Sequence, residues 1–259
     1  SSGVAQATVF FEQGFETDTA GYFDANTPAP NDWFGSVTRV ASGTSGITSF
    51  AGSFHAIVEQ SGNPGNETGP FTRFDGYSSV FPAGGYSTST AIFLDTGMEL
   101  GEGFDYSVAS SGSDGNHQRD FIFHVTKDSD TGSLLVGGSN NTNFDPREDL
   151  ETINHIAITD SDWYLFEHVF RDDGGILAVD LNLRDSSGNL MFTETRSSAA
   201  DTIPGEVGGH RYGWFTNVDV TGGIAIDSVQ VVGVPEPGML ALFGLGLVGL
   251  GIVRRRRAA

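Results

Sequence analysis

Hydrophobic and polar residues alternate in short stretches along most of this chain, and turns rich in Gly, Ser, Thr, Asn and Asp separate them. An alternation with period two is typical of half-buried β-strands. No stretch before residue 234 has the periodicity of a helix. The pattern therefore predicts an all-β fold, an antiparallel two-sheet β-sandwich of the jelly-roll type. The predicted strands are residues 8–12, 33–40, 55–59, 88–94, 104–109, 120–126, 133–137, 153–158, 163–171, 176–184, 190–196, 211–217 and 223–232.

Two of these stretches also indicate how they are buried. Residues 176–184 carry Leu or Val at every odd position from 177 to 183, which predicts a strand with one buried face. Residues 163–171 are rich in hydrophobic and aromatic residues on both faces. A strand of that kind lies at the centre of its sheet or has one face that lines an aromatic groove.

The charge of the chain limits its partners. There are 33 acidic and 13 basic residues, for a net charge of −20, and the nine basic and 32 acidic residues outside the tail give about −23. Such acidity argues against nucleic acid and against adhesion to anionic membranes. The chain has no cysteine, so disulfides and thiolate metal sites are excluded. Its 20 Phe, 6 Tyr and 3 Trp supply ample material for a hydrophobic core.

The last 26 residues differ from the rest. A Pro235-Glu236-Pro237 triplet precedes 16 uncharged residues, 238–253, and four arginines follow. A helix of that length spans about 24 Å, slightly less than a hydrocarbon core of about 30 Å, and snorkelling arginines bring it close to spanning. This predicts a C-terminal hydrophobic helix that inserts in a membrane, transiently or permanently, with its arginines on the cytoplasmic side and residues 1–233 outside.

This three-part tail resembles the PEP-CTERM signal of Gram-negative bacteria. The resemblance implies that an exosortase-type membrane protease is a partner and that the chain is exported to the cell surface or the extracellular matrix. The alternative is a simple membrane anchor that is never cleaved. The sorting residues would be Pro235, Glu236, Pro237, Arg254, Arg255, Arg256 and Arg257.

The N-terminus also suggests export. Ala5-Gln6-Ala7 has the small-x-small pattern of a signal-peptidase site, although an ordinary N-terminus rich in small residues is the alternative. We expect residues 1–7 to be a signal-peptide remnant, residues 8–233 to form the sandwich domain, and residues 234–259 to be the sorting and transmembrane tail.

The two ends of the sandwich resemble laminin-G/concanavalin-like and carbohydrate-binding modules. Residues 11–18, Phe-Glu-Gln-Gly-Phe-Glu-Thr-Asp, resemble the opening of such modules, and residues 223–231 resemble their closing strand, in which an Asp stands between hydrophobic residues. The resemblance implies a structural Ca²⁺ held by Glu16, Asp18 and Asp227, because the first and last strands lie side by side. Ca²⁺ takes six to eight oxygen ligands. The alternative is that Asp227 caps a turn and Glu16 is solvated.

A polysaccharide-binding surface would combine aromatic platforms with polar side chains, because sugar rings stack through their C–H faces and their hydroxyls take directed hydrogen bonds. The alternative is that the aromatic residues belong to the core and the polar residues to a solvated face. The candidate residues are Arg119, His124, Tyr164, His168, Asp180 and Asn182.

Catalytic signatures are weak in this sequence. In a strand, Asp120 and His124 share a face but lie about 13 Å apart, too far for a dyad. The sequence lacks the paired-carboxylate signature of concanavalin-like glycosidases, the nucleophile elbow and the phosphate loop. We therefore expect a non-enzymatic exported protein that binds matrix polysaccharide. The alternatives are a carbohydrate-active enzyme, either a polysaccharide lyase or a glycosidase, and a structural protein that assembles through its strand edges.

Overall fold

The computed structural model describes residues 7–24, 35–60, 68–142 and 147–235. Their regular secondary structure is β, apart from two short 3₁₀ helices, Thr44–Gly46 and Arg147–Thr152; the second is called the covering segment below. The strands are β1 (Val9–Gln13), β2 (Tyr22–Phe23), β3 (Ser36–Ala41), β4 (Phe54–Glu59), β5 (Thr68–Thr72), β6 (Tyr86–Leu94), β7 (Gly103–Gly112), β8 (His117–Lys127), β9 (Leu134–Asn140), β10 (His155–Ile158), β11 (Asp162–Asp172), β12 (Ile176–Arg184), β13 (Leu190–Thr202), β14 (Val207–Asp219) and β15 (Ile224–Gly233).

The strands form two antiparallel sheets that pack face to face, which confirms the predicted two-sheet sandwich. Sheet A has the order β13-β12-β11-β6-β15-β4-β3, and β1 also pairs with β15. Sheet B has the order β10-β9-β8-β7-β14-β5-β2. The first and last strands therefore lie side by side, as the resemblance to carbohydrate-binding modules implied.

Each predicted strand overlaps a strand of the structure, whereas β2 and β5 were not predicted. The sequence of β5 contains Gly69 and Pro70, two residues that normally interrupt strands. The start of the predicted 33–40 strand and the predicted C-terminal hydrophobic helix lie outside the described residues. Within the described ranges, the structure has no helix that is long and apolar enough to cross a membrane.

Aromatic rings from both sheets meet in the core. Phe166 of β11 lies 4.9 Å from Phe123 of β8 between ring centroids, and Phe170 of β11 lies 5.5 Å from Phe121 of β8. All four side chains are fully buried. Rings that meet edge to face in this way add about 0.5–1.5 kcal/mol per pair to the stabilisation from buried area. In a chain without disulfides, this packing is the main source of stability.

The outer face of sheet A carries a second, smaller hydrophobic cluster. Trp163 of β11 is buried there against Phe93, and the loop before β4 covers it with Phe50. The Trp163 indole donates a hydrogen bond to the carbonyl of Thr48 at 2.8 Å. Because β12 and β6 flank β11, the prediction that this strand is central in its sheet is confirmed.

His168 is a fully buried histidine within the aromatic core. Its ring lies beside Phe123 and Tyr106, and its Nε2 donates to the carbonyl of Phe121 at 3.2 Å. Burial lowers the pKa of His168 from 6.5 to about 3, so the imidazole is neutral in the folded protein at neutral pH.

We expect His168→Leu to reduce the acid sensitivity of the fold. The unfolded chain takes up a proton at this position below pH 6.5, whereas the folded chain does so only near pH 3, so stability is lost as pH falls between these values. The loss is about 1.4 kcal/mol per pH unit. Urea unfolding at pH 7 and pH 5 measures how far the free energy of unfolding falls with pH. We expect this fall to be about 2 kcal/mol smaller in His168→Leu than in wild type.

The control is His155→Gln, because His155 is half-buried at the edge of sheet B. An equal loss of stability in wild type and His168→Leu over this pH range would contradict the interpretation.

Candidate functional site

Four of the six predicted polysaccharide ligands lie on sheet A, on opposite faces. Tyr164 and His168 point into the core, and the Tyr164 hydroxyl donates to the carbonyl of Asp160 at 2.9 Å. Asp180 and Asn182 lie on the outer face. Hydrogen bonds from the neighbouring arginine of β11 hold the pKa of the Asp180 carboxyl below its usual range. These four residues therefore share no common surface.

The other two candidates lie on sheet B. Arg119 of β8 donates from Nε and Nη2 to the carboxylate of Asp201, both at 2.6 Å. Asp201 is fully buried on β13 of sheet A, so this ion pair joins the two sheets. His124 is fully buried on the outer face of sheet B. The six predicted residues do not form one groove, because strand alternation sends neighbours in sequence to opposite sides of the sandwich.

Two of the three predicted calcium ligands meet on one loop. Asp227 of β15 is fully buried and accepts the backbone N–H of Ala51 at 3.0 Å. Glu16 accepts the N–H groups of Ser53 and Phe54 at 2.9 and 3.1 Å. Burial raises the pKa of Asp227, and the nearby charge of Glu16 raises it further. Both carboxylates fasten the loop before β4 to the paired strands β1 and β15.

Asp18, the third predicted ligand, stays in its own turn. Its Oδ1 accepts the N–H of Ala20 at 2.9 Å and the amide of Gln13 at 3.3 Å. In the described part of the chain, no group of three His, Asp or Glu side chains is placed to hold a metal ion. The calcium site stays a prediction, and the structure gives these carboxylates backbone and amide N–H donors as partners.

A polar cluster that was not predicted as a unit lies on the outer face of sheet B. The Oδ1 atom of Asp120 accepts the hydroxyls of Tyr212 at 2.8 Å and Ser107 at 3.2 Å. Its Oδ2 atom contacts Nε2 of His117 at 2.8 Å and the amide of Asn141 at 3.4 Å. We call these five residues the Asp120 cluster. The carboxylate fixes the orientation of four polar side chains from β7, β8, β14 and the turn after β9.

The Tyr212 and His117 rings of this cluster are stacked, with centroids 6.1 Å apart and planes inclined by 14°. Burial and the charge of Asp120 raise the pKa of Tyr212, so its hydroxyl remains a donor at neutral pH. The His117 side chain is 34% exposed, which makes this part of the cluster accessible.

Two β-bulges adjoin the Asp120 cluster, one on each side of Ser110 of β7. On β8 the extra residue is Gln118, and it brings His117 to the same face as Asp120. On β14 the extra residue is Arg211. A bulge inserts one residue into a strand and re-aims its neighbours, and bulges are frequent beside functional sites.

Aromatic side chains continue from the Asp120 cluster along the same face. The rings of Tyr212 and Trp214 on β14 meet at 5.9 Å and 89°, and those of Phe23 and Phe71 stack at 5.0 Å. Tyr77, in the loop after β5, is 41% exposed. Among the described Phe, Tyr and Trp residues, only Tyr77 is more than about a third exposed, so it is the most accessible ring.

A second polar chain on this face is buried. Nδ1 of His124 contacts Asp105 at 2.6 Å and its Nε2 contacts the Ser139 hydroxyl at 2.7 Å. This is the order of groups in a serine-hydrolase triad. However, Ser139 and His124 are fully buried. Leu150 of the covering segment packs on Gly137, the β9 neighbour of His124, so closely that a Cβ at 137 would lie 2.9 Å from it.

Sequence reasoning identified His124 but missed its partners. Asp105 pairs with His124 across β7 and β8, and Ser139 comes from β9. It also missed Tyr212 as the partner of Asp120. Each partner comes from a different strand, so no spacing along one segment indicates these contacts. The only available signal was the alternation that places each residue on an outer face.

Comparison with known protein families identifies the PEP-CTERM protein-sorting motif at residues 233–257. The predicted sorting signal is therefore confirmed, and the chain is an exported protein sorted by an exosortase-type system. Glu236, Pro237 and the four arginines of the motif lie outside the described residues. No curated protein matches the chain.

Several solved structures are distantly similar. The CBM2 module of the Lactobacillus casei BL23 phage J-1 evolved Dit is 14% identical, with 88% of this chain and 96% of that chain covered and a TM-score of 0.44. The T. cruzi calreticulin globular domain is 10% identical, with 94% and 95% covered and a TM-score of 0.42. The lectin I from Ulex europaeus is 12% identical, with 79% and 93% covered and a TM-score of 0.39. Similarity at this level carries no functional argument.

We expect Asp227→Asn to lower the free energy of unfolding by about 1–3 kcal/mol. The carboxylate accepts the N–H of Ala51 on Oδ2 and that of Ser228 on Oδ1, so the new NH₂ group would face one of these donors. Urea unfolding at pH 7 in EDTA measures the loss. Asp18→Asn is the control, since Asp18 lies in an exposed turn. Equal stability of Asp227→Asn and wild type would contradict the assigned role.

The same proteins melted with added CaCl₂ test the calcium prediction. A higher melting temperature with CaCl₂ in wild type, but not in Asp227→Asn, would support a bound ion. Identical melting temperatures with CaCl₂ and with EDTA would contradict the calcium prediction. The role of Glu16 and Asp227 would then be to hold the loop.

Proposed function

We propose that this exported protein is non-catalytic and binds extracellular polysaccharide on the outer face of sheet B. The observation that carries the proposal is the position of the Asp120 cluster beside the exposed ring of Tyr77. An accessible aromatic ring offers a platform for the C–H face of a sugar, and pre-oriented polar groups offer directed hydrogen bonds to its hydroxyls.

Preorganisation supports this role. The Asp120 carboxylate holds the hydroxyl of Tyr212 and the imidazole of His117 at 2.8 Å each and the amide of Asn141 at 3.4 Å. Side chains that are already ordered lose little conformational entropy when a ligand binds. The side chain of His117 is 34% exposed and Asn141 is exposed, so these two residues form the accessible part of the cluster.

The alternative of a carbohydrate-active enzyme has less support. The carboxylate of Asp120 already accepts from four neighbours, so a proton taken from a substrate would compete with these bonds. Ser139 is fully buried. A nucleophile must reach the reacting atom of its substrate, and the described arrangement keeps Ser139 from it.

A structural role is the second alternative. β13 forms one edge of sheet A, and its first residues, Leu190 and Met191, are 53% and 40% exposed. An edge strand presents unpaired backbone groups that can pair with another copy. Assembly of the purified domain into oligomers, measured by light scattering, would favour this alternative over sugar binding.

For the tail, we propose that residues 238–253 insert in the inner membrane and that the four arginines stay on the cytoplasmic side. The domain would then stand outside the membrane, where the exosortase-type system sorts it to the cell surface or the matrix. The 16 uncharged residues, framed by the Pro235–Pro237 triplet and the basic cluster, support this proposal.

We expect replacement of Arg254 to Arg257 by glutamine to reduce retention of the chain in the membrane fraction before sorting. Cell fractionation and the mass of the released domain measure this. The control is a Pro235→Ala, Pro237→Ala chain, which keeps the arginines and should still insert but not be processed. Unchanged fractionation of the glutamine variant would contradict arginine anchoring.

We expect Tyr77→Ala to weaken polysaccharide binding about tenfold, which corresponds to about 1.4 kcal/mol for one lost stacking contact. Affinity electrophoresis through gels containing neutral or acidic polysaccharides measures the change. Leu190→Ala is the matched control, because Leu190 is an exposed hydrophobic residue on the other sheet. Equal retardation of Tyr77→Ala and wild type would contradict the proposed face.

Assays of mixtures of the domain with the same polysaccharides for newly formed reducing ends and unsaturated uronates test for catalysis. We expect neither product.

A further inference from the structure

Among the described residues, two arginines at one end of the outer face of sheet B form no ion pair with a carboxylate, although the chain has a net charge of −20. Five other arginines form ion pairs, namely Arg119, Arg147, Arg171, Arg184 and Arg196. Within the described ranges, no carboxylate lies within ion-pair distance of Arg73 or Arg211. Because acidic residues outnumber basic residues in this chain, two arginines on one surface without an ion pair indicate a binding role.

Aromatic rings hold both arginines in place. The guanidinium carbon of Arg211 lies 4.1 Å from the centre of the Tyr77 ring, and that of Arg73 lies 5.3 Å from the same centre. Arg73 also lies 5.0 Å from the Phe23 ring and 5.8 Å from the Phe71 ring. A guanidinium stacked on aromatic faces is ordered before any ligand arrives. We call Arg73, Tyr77 and Arg211 the arginine clamp.

Most hydrogen-bond donors of the clamp are unused. A guanidinium has five N–H donors. Arg211 donates from Nη1 to the carbonyl of Gly115 at 3.0 Å, and its Nε has no partner. In the described part of the structure, the guanidinium of Arg73 makes no hydrogen bond, and its Nε is buried without a partner. Because both Nε atoms are buried, the clamp offers the terminal Nη groups of two guanidinium ions beside one exposed ring.

The backbone around the clamp supports a functional role. Arg211 is the extra residue of the β14 bulge, one residue before Tyr212 of the Asp120 cluster. The bulge turns Arg211 out of the strand alternation and toward Tyr77. The nearest acidic side chain along the β7–β8 turn, Asp114, accepts the backbone N–H and the side-chain amide of Asn116 at 2.9 and 2.8 Å. Its carboxylate is therefore engaged within its own turn.

We propose that the arginine clamp binds the carboxylates of an acidic polysaccharide, such as a chain of uronic acids, with one sugar ring against Tyr77. Planar guanidinium forks match planar carboxylates, and two arginines against one ring suit an anionic group on a sugar. This inference rests on the proposed function, and it adds the chemical class of the ligand. It also explains how a strongly acidic protein binds a polyanion, since contact pairs persist where salt screens long-range repulsion.

Isothermal titration of the domain with trigalacturonate and with neutral maltotriose, at 0.15 M salt, tests the proposal. We expect trigalacturonate to bind at least tenfold more tightly than maltotriose. Arg73→Gln and Arg211→Gln should each weaken trigalacturonate binding about tenfold and leave maltotriose binding unchanged. Arg39→Gln is the matched control, because Arg39 also stacks on a ring, that of Phe54, but on sheet A. Thermal melting of each variant checks its fold.

Lysine variants keep the test informative if a glutamine variant fails to fold. Arg73→Lys and Arg211→Lys retain the charge but not the fork, so they should recover only part of the affinity. A trisaccharide carrying sulfate groups, used as a third ligand, shows whether the clamp prefers planar carboxylates; tighter binding of the sulfated sugar would overturn that preference.

Two outcomes separate this inference from the function on which it rests. Equal binding of both trisaccharides, lost in Tyr77→Ala but unchanged in the arginine variants, would overturn the acidic ligand and leave polysaccharide binding intact. Absence of binding by every sugar would overturn both.

Discussion

The packing of aromatic rings between the two sheets determines the rest of this structure. Without disulfides, the sandwich depends on side chains such as Phe121, Phe123 and Phe166 meeting in one core. Because side chains alternate along a strand, each inward ring also decides which neighbours face outward. Asp120 and His124 lie on the outer face of β8 because the phenylalanines beside them lie inside. A register slip of one residue would reverse both sets, so the core and the outer face are specified together.

Sheet B departs from this alternation at several places, and two of them adjoin the candidate site. The bulges of β8 and β14 flank Ser110 of β7 and change the direction of His117 and Arg211. A bulge places two residues opposite one on the partner strand and bends the strand locally. The site thus gains side chains that regular strands would not bring together.

The sequence predicted those features that depend on residues close to one another along the chain. Alternation located the strands, and the tail was recognised because its three parts follow one another along the chain. β5 was not predicted because its sequence contains Gly69 and Pro70, which are unusual in strands. Its pairing with β14 stabilises it. The site was largely missed for a related reason. Its contacts join β7, β8, β9 and β14, and sequence spacing measures distances only within one strand. Asp227 is an exception among these contacts between strands, because the expected pairing of the first and last strands brings it near Glu16.

The attachment of the tail to the domain has a mechanical consequence. β15 is hydrogen-bonded between β6 and β1 up to its last residue, and the N–H of Val234 still binds the carbonyl of Gly85. A force applied through the C-terminal segment therefore enters the domain along an internal strand. Antiparallel ladder bonds lie perpendicular to the strand, so such a force shears many of them at once. A surface protein pulled by flow or by its matrix would resist extraction of β15 more strongly than the peeling of an edge strand such as β13.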